Sequence, residues 1–80
     1  MPETNHIKQI YEDFNSYSYK NYKVPTILLI GRKAYLELQL EVRLTNSLEY
    51  QIDYTEFDPT YMGMKIVEVT KNNFIKVVGY

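Results

Sequence analysis

Cysteine and tryptophan are absent from these 80 residues, histidine occurs once, and glycine and proline number three each. Without cysteine there is no disulfide framework, no thiolate metal site and no cysteine nucleophile, and a reducing cytoplasm suits such a chain. The lone histidine, His6, has no second histidine or cysteine with which to share a metal, whereas zinc takes three or four such ligands. No metal and no cofactor is expected. No apolar run approaches the roughly 20 residues that cross a bilayer, and the polar start Met-Pro-Glu-Thr-Asn-His lacks the basic-then-apolar order of a secretory signal. Walker and dinucleotide glycine loops are missing, and no Gly-x-Ser-x-Gly elbow surrounds Ser16, Ser18 or Ser47.

What is present is an ordinary globular balance, 45% hydrophobic and 24% charged with both signs, which argues against disorder. A chain this short reads as one domain over residues 1–80 and buries only about 60% of its unfolded surface, so its margin of stability is thin. The net charge of −1 hides a division along the chain. Residues 1–33 carry five Lys or Arg against three acids, and residues 65–80 carry three Lys against one Glu. Residues 34–64 carry only Arg43 against six acids, and no basic residue falls between Leu44 and Met64. A charge-selective surface there would attract a basic partner rather than a phosphate backbone, so direct nucleic-acid binding is not expected.

The stretch Pro25 to Tyr35 fixes the architecture. Ile27 to Ile30 are four consecutive aliphatic residues with no polar side, so the strand they form should be central to a sheet and covered on both faces. Pro25 forces Val24 to be extended and admits that strand. Upstream, Ile7, Ile10, Tyr11, Phe14 and Tyr17 follow helical spacing, predicting an amphipathic helix over about Asn5 to Ser16 with Thr4 or Asn5 as its cap. Asn15 to Lys23 then reads as a tyrosine-decorated connection.

After Gly31 the signals divide. Leu36, Leu38, Leu40, Val42 and Leu44 alternate with polar residues as a strand would, yet Leu, Glu, Gln, Arg and Ala are good helix formers and β-branched residues are nearly absent. Composition tips the reading to a helix. On that helix Ala34, Tyr35, Leu38 and Val42 share one face and Leu36, Leu40 and Leu44 another, so it would be buried on two sides, the second by another copy of the chain. Leu48 to Tyr54 reads as a strand that Asp58-Pro59 ends, with Tyr50, Ile52 and Tyr54 on one side and Glu49 and Asp53 on the other. Met64 to Thr70 and Phe74 to Val78 flank Lys71-Asn72-Asn73 and predict a closing hairpin, with a turn or bulge at Gly63. The fold class is α+β: a central, mostly antiparallel sheet of about four strands, flanked by the N-terminal helix and a second helix after Gly31.

Chemistry-bearing groups are few. Glu12-Asp13 and the set Glu49, Asp53, Glu56, Asp58 sit where outward-facing carboxylates should, without the burial that shifts a catalytic pKa. Gly31-Arg32-Lys33 could set an anion at a helix N-terminus, but a single glycine reads more simply as a turn with solvated cations. The remaining feature is a load of nine tyrosines, which supply large, rigid, half-polar contact area. Tyr50, Tyr54, Phe57 and Tyr61 interleave with Asp53, Glu56 and Asp58.

Pro-Thr-Ile-Leu-Leu-Ile-Gly-Arg-Lys-Ala-Tyr, followed by Tyr61-Met-Gly-Met-Lys-Ile-Val-Glu-Val and a closing hairpin, resembles the A-domain of tailed-phage major capsid proteins. The resemblance is nearest to the small A-domain-only shell proteins grouped with encapsulins, over about residues 5–36 and 61–78. It implies a central sheet flanked by helices and a viral or mobile-element ancestry. The peripheral domain, extended loop and long backbone helix of a complete capsid subunit are not here, and no catalytic residues carry over.

A chain without an evident reaction centre is expected to work by contact. One expectation is a non-enzymatic phage-type accessory protein, in the host bacterial cytoplasm, that binds and occludes a host protein with a basic surface through Tyr50, Asp53, Tyr54, Glu56, Phe57, Asp58 and Tyr61. The alternative is a self-assembling, capsid A-domain-like structural protein that packs through Leu36, Leu40 and Leu44. A homodimer is compatible with either.

Overall fold

The structure, a computed structural model, describes residues 5–45, 51–54 and 58–79. Helix α1 (His6–Asn21) leads into strand β1 (Ile27–Gly31) and helix α2 (Arg32–Thr45), then β2 (Thr60–Tyr61), β3 (Met64–Val69) and β4 (Ile75–Val78). The strands form one mixed sheet in the order β2-β3-β1-β4. The class is α+β, as the sequence predicts.

β1, the most aliphatic strand, takes an interior place. It runs parallel to β3, with Leu28 beside Ile66, and antiparallel to β4, with Leu28 beside Val77. A parallel neighbour requires a crossover, and α2 lies on that connection. One of the three ladders is parallel and the other two are antiparallel, in keeping with the expectation of a mostly antiparallel sheet.

Three expectations are corrected. β3 and β4 are not a hairpin, because β1 lies between them. The chain at Lys71 to Phe74 instead crosses the end of β1, where Gly31 donates its N–H to the Phe74 carbonyl at 2.7 Å and Ala34 donates to the Asn72 carbonyl at 2.9 Å. Gly31 is required there, since a Cβ would overlap the Lys71 carbonyl oxygen. The true two-residue hairpin joins β2 to β3 through Met62 (φ 52°) and Gly63 (φ 79°), the paired positive φ values of a type I′ turn.

The second correction concerns Leu48 to Tyr54, of which residues 48–50 lie outside the described residues. Within 51–54 the ladder is a single isolated bridge from Asp53 to Thr60. Ile52 is buried and Tyr54, two residues on, is exposed, yet both line one depression against Gln39 and Val42 of α2, so it is the extended ladder and not the shared side that fails. Third, α1 continues past Ser16 into the predicted connection. Tyr17 packs against the core, the Ser18 hydroxyl donates to the Phe14 carbonyl and the Asn21 amide to the Tyr17 carbonyl, and the helix stops at Tyr22, whose backbone is left-handed at φ 55°.

Both helices lie on one side of the sheet. Ile10 of α1 and Ala34, Leu38 and Val42 of α2 join Leu28, Ile30, Ile66 and Val77 in a single buried cluster that Ile52, Tyr61 and Met64 complete. The expectation that β1 is covered on both faces is met on one face only among the described elements. No helix among the described residues is long and apolar enough to cross a membrane.

Candidate functional site

α2 is amphipathic in an unusual sense. Ala34, Leu38 and Val42 are buried in the core, and on the opposite side Leu36 and Leu40 are each 55% exposed and Leu44 is 83% exposed. The leucines are spaced four apart, which stacks them into one ridge along the helix. That is the second apolar face expected from the sequence, and nothing described in the chain covers it.

The two flanks of this ridge differ. On one, Glu37 and Glu41 turn towards α1. The Glu41 carboxylate accepts the backbone N–H of His6 at 3.0 Å and of Ile7 at 3.4 Å, and His6 Nε2 lies 3.3 Å from Glu37 Oε1. Asn5 occupies the cap position of α1 without a side-chain bond, so the helix is capped from its neighbour. On the other flank, the segment 51–54 lies along α2. The Gln51 amide donates to the Val42 carbonyl, and the Gln39 amide donates to the Tyr54 hydroxyl at 3.0 Å. Tyr35 is held up to about 12 by burial first, then by Tyr54 and by the charge of Glu68.

The predicted acidic and aromatic patch is only partly assembled. Tyr50, Glu56 and Phe57 lie outside the described residues. Asp53 and Tyr54 are exposed, Tyr54 at 59%. Asp58 is exposed but stands 3.4 Å from the ammonium of Lys65, which folds back against the acidic stretch and offsets its charge. Tyr61 is 1% exposed and fills the core, so its place in the expected contact surface is corrected: β2 turns its side chain inward.

Other groups singled out from the sequence fall in place without forming a reaction centre. The first turn of α2, where Gly31-Arg32-Lys33 could have met an anion, already has the Ala34 N–H engaged by Asn72. Burial, then the neighbouring Glu12, raises the Asp13 carboxyl above its usual value, but among the described residues the depression it lines with Ser16 and Lys20 holds no second acid. Among the described residues no three His, Asp or Glu side chains gather in a way that would hold a metal.

The capping role of Glu41 has no signal in the sequence, whereas a second apolar face of the sheet is what the strand at 27–30 implies. Register puts Ile27, Leu29, Val67, Val69 and Val78 on the side of the sheet opposite Leu28, Ile30, Ile66 and Val77, and all five are half-buried rather than core. The signal was present in the unbroken run at 27–30. No protein-family model, curated protein or solved structure matches this chain.

Proposed function

We propose that this chain is a non-enzymatic protein that acts by contact, and that its primary contact is with a second copy of itself through the leucine ridge of α2. The observation that carries this is the row Leu36, Leu40, Leu44, exposed along the side of α2 that points away from the core. A ridge of residues four apart seats in the matching groove of another helix. Two copies related by a two-fold axis at Leu40 would bring Leu36 of each beside Leu44 of the other, a self-complementary arrangement. Burying the exposed part of each leucine contributes about 1 kcal/mol, six times over in a dimer. Light scattering across a concentration series, compared with Leu40→Lys, tests it: association in the parent chain and a monomer in the variant support the reading, and identical masses overturn it.

A second reading, a phage-type accessory protein that occludes a host protein with a basic surface, is supported by one observation. Tyr54 is held by Gln39 yet stays 59% exposed, with Asp53 beside it, an aromatic anchor with an acidic neighbour. Capture from bacterial lysate by the parent chain but not by the Tyr54→Ala, Asp58→Lys variant would favour this reading. Equal capture by both would remove the segment from consideration.

A further inference from the structure

We infer that the outer face of the sheet is a second docking surface, distinct from α2, and that its occupant is an acidic amphipathic helix of a partner protein. The strand run Ile27 to Ile30 has no polar side, a pattern that belongs to strands covered on both faces. The helices α1 and α2 cover the face of Leu28 and Ile30. Ile27, Leu29, Val67, Val69 and Val78 form the opposite face, and a shallow depression lined by Leu29, Val69 and Phe74 continues it past the end of β1.

Charge and size select the occupant. Register places Lys65 beside Ile27 and Lys76 beside Leu29 on this same face, and Lys71 stands over the Phe74 ring at its end. Among the described residues Lys65 pairs with Asp58 and no ion pair engages Lys71 or Lys76, which leaves those two as the excess charge of this face. A second copy placed sheet to sheet would set these lysines against their own kind. The α2 ridge of another copy brings Lys33 and Arg43 on its exposed side while its flanking acids Glu37 and Glu41 are engaged at the start of α1, so the same lysines meet mainly cations. An acidic partner has no such conflict. β3, β1 and β4 together span about 14 Å by 17 Å at ordinary strand spacing and rise, too little area for a standard protein–protein interface but the footprint of one helix of about 12 residues. Lysine stems can lie along its apolar side while their ammonium groups reach flanking carboxylates.

The test uses the whole chain with labelled Ile, Leu and Val methyl groups, titrated with a synthetic 14-residue helix carrying leucine on one face and glutamate on the others. The expected result is shifts at Leu29, Val67, Val69 and Val78 that weaken with added salt, and at least a several-fold loss of affinity in Lys76→Glu, a surface change that does not threaten folding. Leu40→Lys should leave this binding intact, so failure here and failure of α2 self-association are separately visible. Shifts confined to Leu36, Leu40 and Leu44, equal binding by the same peptide with lysine for glutamate, tighter binding to anionic lipid vesicles than to the peptide, or no methyl shift at millimolar peptide would each overturn the inference.

Discussion

The Glu41 carboxylate accepts the backbone N–H of His6 at 3.0 Å, so the first turn of α1 is capped by a residue 35 positions further along the chain. The bond ties the only helix–helix junction of the described fold to a charged group that favours the positive end of a helix dipole. Glu41→Ala should lower stability by about 1 kcal/mol, in the range of a lost N-cap, and Glu41→Gln, which keeps an accepting oxygen, should lose less. Urea unfolding measures both. An unchanged midpoint in the alanine variant would mean that α1 is held without this contact.

Tyr22 ends α1 in a left-handed conformation with its side chain 95% exposed. A β-carbon in that region is strained by about 1–2 kcal/mol, and glycine relieves the strain. Tyr22→Gly should therefore stabilise the fold by about 0.5–1 kcal/mol, the glycine entropy offsetting part of the gain. A lower melting temperature in this variant would show that the tyrosine ring contributes to the folded state.

Gly31 has the opposite sensitivity. A methyl group there meets the backbone of Lys71 and Asn72 rather than a yielding side chain, so Gly31→Ala should cost about 1–3 kcal/mol. The damage should appear first at the crossing of 71–74, where hydrogen exchange at Gly31 and Ala34 reads it directly. Parent-like exchange at those two amides would contradict the placement of the crossing.

Tyr35 makes stability depend on pH in the alkaline range. Because burial, Tyr54 and Glu68 raise it from 10.0 to about 12, the folded chain keeps a phenol proton that the unfolded chain releases. Its contribution to stability is complete below pH 10 and is lost as pH rises through about 12. Tyr35→Phe should flatten the decline between pH 10 and pH 12, and an absorbance titration of tyrosinate should lose one group that titrates near 12. An alkaline limb unchanged by the substitution would count against the Tyr35–Tyr54 pairing.

Much of this fold was legible in local sequence. Ile27 to Ile30 marked the interior strand because burial leaves no room for polar residues, and the helix-forming composition of residues 32–45 outweighed an accidental alternation. The strand order was not legible. Lys71-Asn72-Asn73 suits a hairpin and a crossing equally well, and only the preference of β1 for two neighbours decides between them. β2 is two residues long, too short to show a period. The site was legible in the same uneven way: two-sided apolarity exposed Leu36, Leu40 and Leu44 as a candidate surface, while the burial of Tyr61 and the pairing of Asp58 with Lys65 depend on contacts that residue type does not announce.

The most direct test of action by contact through α2 is the solution mass of the parent chain and of Leu40→Lys, measured by light scattering from micromolar to millimolar concentration with circular dichroism as the check on folding. The ridge predicts a mass that rises towards the dimer in the parent chain and stays at the monomer in a folded Leu40→Lys. A parent chain that is monomeric throughout, or a folded variant that associates as the parent does, would contradict it.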